Sequence, residues 1–221
     1  MKAIRSLAAG VALLSAVPAV GMAQANRTFQ NSWFWGVKGG GTVTSSRSKA
    51  TVVAPMGGAD WLITRNRGGI YFSIDQSFLS QYAVLADSVN PSDVPSTVNV
   101  KDLRRFTLAL MGYPGNWERL HPYVGLGMVY SQVAQTTKVG AWGSAEQYNL
   151  AQKIIAAYKS AFAPVLLIGS QYQFRNTGVF VQASAWQANQ QMLLSSPSHG
   201  INASLELGVR YNFGSSVDSS R

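Results

Sequence analysis

The chain has 221 residues, a formal net charge of +9 and no cysteine. This length fits one domain, and the lack of cysteine excludes both a disulfide-stapled scaffold and a cysteine-based zinc site. The basic residues are not gathered on one stripe and accompany no nucleic-acid-binding motif, so nucleic acid is not an expected partner.

Residues 1–25 predict a secretory signal peptide. Lys2 and Arg5 give a positive start, the stretch Leu7–Val20 is apolar, and either Gly21-Met22-Ala23 or Ala23-Gln24-Ala25 supplies small residues at the cleavage positions. A single membrane anchor is disfavoured because this apolar stretch is short and contains Pro18. Later residues never approach the roughly 18 consecutive apolar residues of a membrane helix. A mature chain in a membrane must therefore be a closed barrel.

Eight β-strands are predicted from alternating apolar and polar residues. The last is the clearest, because every odd position from Ile201 to Phe213 is apolar and every even position is polar or glycine. This period of two gives a strand one apolar and one polar face. Eight is an even number and the smallest found in transmembrane barrels. The predicted strands are Ser32–Thr44, Thr51–Thr64, Gly69–Tyr82, Leu103–Tyr113, His121–Val133, Phe162–Phe174, Val179–Leu193 and Ile201–Phe213.

The connections between these strands alternate in a way typical of outer-membrane barrels, which have short periplasmic turns and longer external loops. Predicted long connections are Ala83–Lys101 and Ala134–Ala161, and turn-forming residues occupy the short ones. The third external loop, Ala134–Ala161, also predicts a short helix, with Tyr148, Ala151 and Ile155 at helical spacing. That helix could form a lid over the barrel mouth or a surface that binds lipid or a partner. The alternative is a short helix that packs on the strands of its own loop.

Three segments resemble the small outer-membrane β-barrel family, which contains the membrane domain of outer-membrane protein A and outer-membrane proteins X and W. They are the aromatic and glycine-rich Trp33–Gly41, the Pro-Tyr-x-Gly-x-Gly start at His121–Gly127, and the closing strand Leu207–Phe213. The resemblance implies an outer-membrane location in a Gram-negative cell, and it implies the barrel-assembly machinery as a partner. It implies no activity. The chain departs from the pattern by continuing beyond Phe213, and 215–221 is expected to be a periplasmic tail after a barrel domain at 26–214.

The polar faces of the predicted strands place three basic and three acidic residues in the lumen. An eight-stranded interior holds only side chains or one small ligand, and buried charges need partners. We therefore expect a salt-bridge network that fills the lumen; a solvated passage or ligand site lined by the same charges is the alternative. Because the first and last strands close the barrel, Lys38 and Glu206 are expected to pair. The six residues are Lys38, Asp60, Asp75, Arg105, Glu206 and Arg210.

Aromatic residues near the predicted periplasmic strand ends suggest a membrane girdle, because such rings prefer the headgroup layer. They are Trp33, Trp35, Tyr113, Trp117, Tyr123, Tyr172, Tyr211 and Phe213. Basic residues at both ends are expected to contact lipid phosphates. At the external end, the candidates for lipopolysaccharide contact, or for an ordinary solvated surface, are Arg47, Lys49, Lys101, Arg104, Lys138, Lys153 and Lys159.

The sequence contains little that is typical of a catalytic or metal-binding site. His121 lies in a predicted turn, whereas His199 lies near Ser195, Ser196 and Ser198 without an acid fixed by spacing. No histidine pair has metal-ligand spacing, and no metal or cofactor is expected.

We therefore predict a monomeric, non-enzymatic, all-β, eight-stranded antiparallel up-and-down transmembrane barrel. Its expected role is structural or adhesive, or that of a narrow passive pore. Two alternatives stay open: a lipid-active enzyme (acyltransferase or lipase-like) centred on His199, and a soluble exported lipocalin-like barrel with its apolar face inside.

Overall fold

A computed structural model describes residues 29–45, 51–84, 97–115, 117–139, 149, 152–153, 155–157, 159–187 and 200–216. The strands form one closed antiparallel barrel in which each pairs with its sequence neighbours and the last pairs with the first. This confirms the predicted eight-stranded up-and-down architecture. The strands are β1 (Ser32–Ser45), β2 (Thr51–Arg65), β3 (Gly68–Val84), β4 (Thr97–Gly112), β5 (Leu120–Val139), β6 (Ser160–Phe174), β7 (Thr177–Gln187) and β8 (Ile201–Ser215).

The two ends of the barrel differ in their connections. At one end, here called the terminal end, lie residue 29, Ser216 and the connections 66–67, 113–119 and 175–176. Asn66 and Arg175 adopt positive φ values of 48°, which allows the two-residue turns to reverse the chain. At the opposite end, the loop end, three of the four connections are longer: 12 residues (85–96), 20 residues (140–159) and 13 residues (188–200), whereas 46–50 has five.

The faces of the barrel wall follow the predicted alternation. Large apolar side chains such as Leu110 and Leu126 are about 70% exposed on the outside. Charged side chains such as Asp60 and Arg210 are fully buried inside. The lipocalin-like alternative is therefore wrong, because it needs the apolar face inside. An exposed apolar belt around a closed barrel suits acyl chains, since a closed sheet has no free edge strand to expose to lipid.

Strands β4 and β5 are longer than the sequence pattern predicts. Thr97–Lys101 and Ala134–Val139 were expected in loops, yet β4 and β5 pair continuously up to Thr97 opposite Val139. The alternation is interrupted because Asp102 has a φ of 56° and the pairing of β3 with β4 shifts between Ser77 and Ser80. A bulge of this kind changes which residues face inward, so a strict period-two pattern ends at the bulge although the strand continues.

The C-terminal boundary also differs from the prediction. Ser215 still belongs to β8, and the Ser216 amide donates a 2.8 Å hydrogen bond to the Asn31 carbonyl. The Ser216 hydroxyl donates to the Thr64 carbonyl, also at 2.8 Å. The barrel therefore extends to residue 216 because these residues complete the junction between β1 and β8, and 217–221 lie outside the described residues.

Two further predictions involve residues that are described in part. Residues 149, 152–153 and 155–157 are helical, in agreement with the predicted helix in the third loop, and Ile155 is buried. Within the described residues, no helix is long and apolar enough to cross a membrane. The signal peptide, residues 188–193 of the predicted seventh strand, and His199 with its neighbouring serines lie outside the described residues.

Candidate functional site: the barrel interior

Four of the six charged residues predicted for the lumen form a closed cycle of ion pairs, here called the ion-pair cluster. Lys38 Nζ lies 2.6 Å from Glu206 Oε2 and 2.9 Å from Asp75 Oδ1. Arg105 Nη2 lies 2.6 Å from Glu206 Oε1 and 3.1 Å from Asp75 Oδ2. Each cation thus touches both carboxylates, and the four side chains are at most 4% exposed. The pairing satisfies charges that would otherwise be costly to bury.

The remaining two charged residues form a second pair closer to the terminal end. Arg210 donates to Asp60 through Nε at 3.0 Å and through Nη2 at 3.1 Å, a bidentate geometry that is strong and directional. Its third nitrogen, Nη1, donates to Gln171 Oε1 at 2.9 Å. The guanidinium also lies 3.7 Å from the centre of the Phe180 ring, so an aromatic face covers the fully buried cation.

Neutral polar side chains connect the two charged groups. Tyr71 accepts a hydrogen bond from Lys38 Nζ at 2.9 Å, and its ring lies 5.6 Å from the Arg210 guanidinium. The Gln182 amide donates to both Tyr71 and Glu206 at 3.2 Å and accepts from the Tyr123 hydroxyl at 3.0 Å. The result is one continuous network across the interior, in which the charges and most polar atoms have partners.

Glycines make room for this network on the inner surface. A Cβ atom at Gly36 would lie 2.7 Å from both Arg210 Cγ and Asp60 Oδ1, and one at Gly58 would overlap the Asp75 carboxylate. Both glycines face inward. Gly36 lies beside the ion pair of Arg210 with Asp60, and Gly58 lies beside Asp75 of the ion-pair cluster. A side chain there would displace a salt bridge, so glycine is required by the close approach of its neighbours.

The opposite side of the interior is apolar. Inward-facing side chains of β5, β6 and β7 form this apolar wall, and each is at most 7% exposed: Val129, Val133, Ala163, Val165, Leu167 and Trp186. The Arg105 guanidinium lies 4.5 Å from the centre of the Trp186 ring, where the ion-pair cluster meets the apolar wall. Packing of this wall against the charged side chains removes them from water.

At the terminal end, Phe29 covers the interior. Its ring stacks on His121 with centroids 3.9 Å apart and an interplanar angle of 10°, and it meets the Tyr113 ring edge-on at 4.8 Å. The Phe29 carbonyl accepts a hydrogen bond from the Thr64 hydroxyl. His121 is therefore a packed interior residue, and among the described residues no group of three or more potential metal ligands comes together.

The structure places most residues of the predicted membrane girdle on the outer face and two of them inside the barrel. Trp33, Trp117, Tyr172, Tyr211 and Phe213 are all at least 36% exposed on the outside, and Trp35 is half-buried. Tyr123 is only 2% exposed and Tyr113 only 5%, and both face the interior. The preference of tyrosine for membrane interfaces predicts the outer face, but strand parity places Tyr123 on the inward face with His121 and Gly125.

Several interior residues were not identified from the sequence. Tyr71, Gln171, Gln182 and Ser204 complete the hydrogen bonds of the charged groups, and all four are inward-facing polar positions. Strand parity alone would have found them. The apolar wall gave no such signal, because residues 163–168 of β6 are apolar on both faces.

No family model and no curated protein matches the sequence. Among solved structures, the chain is similar to Neisserial surface protein A, with a TM-score of 0.53, 10% identity, and coverage of 82% of this chain and 97% of that chain. It is also similar to the outer membrane protein Ail of Yersinia pestis in a phospholipid bilayer nanodisc, with a TM-score of 0.40, 11% identity, and coverage of 81% and 99%. The first likeness, together with the closed sheet, gives the chain the fold of a small eight-stranded outer-membrane β-barrel.

Proposed function

We propose that this chain, which has the fold of a small eight-stranded outer-membrane barrel, is a non-conducting structural or adhesive protein of the outer membrane. The observation that carries the proposal is the interior network. A water-filled pore needs polar side chains directed at solvent, whereas the six interior charges are directed at one another and are nearly inaccessible. The terminal end is then periplasmic, and the loop end faces the cell exterior.

The second part of the proposal places specificity in the loop end. Loops on a rigid scaffold commonly contain the residues that bind partners. The interior network makes this barrel such a scaffold. We propose no catalytic activity. The partners are the lipids around the apolar belt, including lipopolysaccharide on the outer side, and the barrel-assembly machinery during insertion.

Solute flux into vesicles tests the non-conducting role. The refolded protein is inserted into vesicles, insertion is verified by its heat-modifiable electrophoretic mobility, and swelling is followed in small sugars. Protein-containing and empty vesicles should swell at the same rate. Faster swelling with verified insertion would overturn the proposal and favour a narrow passive pore.

Loop trimming tests the adhesive part. Cells producing the protein are compared with cells producing a variant in which 85–96 is replaced by a short turn. Both proteins should insert equally, and only the intact protein should increase attachment of cells to host or abiotic surfaces. Equal attachment by both would leave an envelope-stabilising role, which sensitivity of the cells to detergent then measures.

A further inference from the structure

The outer face of the barrel carries a small group of charged residues on one strand. Among strand residues whose side chains are described, outward-facing charges lie at Lys101, Asp102 and Arg104 of β4, and at Arg65 where β2 ends. The remaining described outer surface of the strands is apolar or neutral. A cation on the lipid-facing side of a strand is costly unless it has a polar partner, whereas a cation in a turn is in contact with water.

The register of the strands fixes the position of this group. Ile74, Phe106, Tyr130 and Phe162 are direct cross-strand neighbours on β3, β4, β5 and β6, and we call them the aromatic row. The Phe106 and Tyr130 rings lie 6.1 Å apart, and the Tyr130 and Phe162 rings lie 4.7 Å apart. Two residues nearer the loop end comes the polar row: Gln76, Arg104, Gln132 and Ser160.

On β4, β5 and β6 the outer face changes from aromatic to polar side chains in one register step, as expected at a membrane boundary, whereas on β3 the exposed Phe78 lies two residues beyond Gln76. Arginine on the outer face of a barrel costs about 2–4 kcal/mol at the bilayer midplane and only about 0–1 kcal/mol near the interface. Aromatic rings prefer the headgroup layer. Both preferences favour a position of Arg104 at the depth of the lipid phosphates, in the leaflet at the loop end.

The two outward-facing cations of β4 are available to a ligand. Lys101 and Arg104 are exposed, and neither forms an ion pair with any acidic side chain that the structure describes. The nearby Asp102 carboxylate accepts a hydrogen bond from the Gln76 amide at 3.4 Å. The group of three charges retains a net positive charge, and a guanidinium can bind two phosphate oxygens at once.

We propose that Lys101 and Arg104, above the aromatic row, bind the phosphate group of a lipid in the leaflet at the loop end. The phosphate lies against the two cations, while the acyl chains of the same lipid cover the aromatic row and the apolar belt below it. This inference rests on the proposed membrane location and narrows the lipid contact to one strand.

The test compares stability in vesicles that differ in one lipid. The protein is refolded into phosphatidylcholine vesicles with increasing amounts of phosphatidic acid, whose phosphate monoester is exposed. Insertion is verified by heat-modifiable mobility, so failure to insert, which would contradict the proposed function, is distinguished from failure to bind. The urea midpoint of unfolding then reports binding, because a ligand of the folded state raises stability.

Four proteins are compared. Wild type should gain stability as phosphatidic acid increases. The variant Lys101→Gln/Arg104→Gln should need about tenfold more phosphatidic acid for half of that gain, the cost of losing charge-assisted hydrogen bonds. Two controls, the charge-conserving Lys101→Arg/Arg104→Lys and the turn variant Arg65→Gln/Arg67→Gln, should stay within about twofold of wild type.

Three outcomes would overturn the proposal. An equal loss in the Arg65→Gln/Arg67→Gln variant would indicate attraction by overall surface charge. The same gain from oleic acid at matched surface charge would exclude a preference for phosphate. The same gain from inorganic phosphate in pure phosphatidylcholine vesicles would indicate a soluble anion instead of a lipid.

Discussion

The two halves of the barrel interior are filled in different ways. On the side of β1–β4 and β8, the inward-facing side chains include all six paired charges, as in the ion pair of Lys38 with Glu206. On the side of β5 and β6, the apolar wall lines the interior, as at Val129 and Leu167. The charged half stabilises only when every partner is present, whereas the apolar half tolerates changes that preserve volume. Together they leave the ion-paired side chains at most 4% exposed.

The largest effect is expected from breaking the ion pair of Arg210 with Asp60 in the charged half. Asp60→Ala leaves the fully buried Arg210 without its carboxylate, and loss of one partner of a buried pair costs about 3–5 kcal/mol. The urea midpoint of unfolding in vesicles measures this loss. The double variant Asp60→Ala/Arg210→Met should recover most of it, since no buried charge then lacks a partner. An unchanged urea midpoint in Asp60→Ala would contradict the conclusion that Asp60 stabilises the barrel by pairing with Arg210.

In the apolar half, Leu167→Ala should cost about 3 kcal/mol through lost burial and a cavity, because Leu167 is only 1% exposed. The adjacent Leu166 gives a matched control, since it is 48% exposed on the outer face. Leu166→Ala should cost less than about 1 kcal/mol because acyl chains fill the space. Equal losses for the two variants would mean that the assignment of inner and outer faces on β6 is wrong.

Within the ion-pair cluster, Lys38→Ala should cost about 2–3 kcal/mol, less than Asp60→Ala, because Arg105 still contacts both carboxylates. Lys101→Ala removes the same side chain from the outer face of β4 and should leave the midpoint in phosphatidylcholine unchanged. If Lys38→Ala had the same urea midpoint as Lys101→Ala, the ion-pair cluster would not stabilise the barrel.

The smallest effect concerns the junction between β1 and β8. Truncation after Gly214 removes the hydrogen bonds of Ser216 to Asn31 and Thr64 and should cost about 1–2 kcal/mol. Truncation after Ser216 retains them and serves as the control. If both truncations unfold at the wild-type midpoint, residues 215–216 do not stabilise the junction.

The difference between the two halves also explains what the sequence could predict. In β8, strict alternation from Ile201 to Phe213 identified the strand and its faces and placed Glu206 and Arg210 inside. Closure of an eight-stranded sheet then brought Lys38 next to Glu206. In β6, residues 163–168 are apolar on both faces, so periodicity identified a strand but gave no reason to expect an apolar inner wall.

Two local features were not predictable from alternation. The bulge near Asp102 reverses the inward parity within β4, so the alternating pattern predicted that the strand begins at Leu103 instead of Thr97. Tyr123 shows the converse: its parity was readable, but the preference of tyrosine for membrane interfaces suggested the outer face. The partners of the charges depend on side-chain geometry across several strands, as with Gln182 between Tyr71 and Glu206.

Conductance across a planar bilayer tests the filled interior most directly. The refolded, heat-modifiable protein is added to one side, and current is recorded under an applied voltage after insertion has been verified. The ion pairs and the apolar wall predict insertion without discrete current steps. Steady, reproducible steps from the wild-type protein would contradict this account, because they require a continuous water-filled path past Lys38, Arg105 and Arg210.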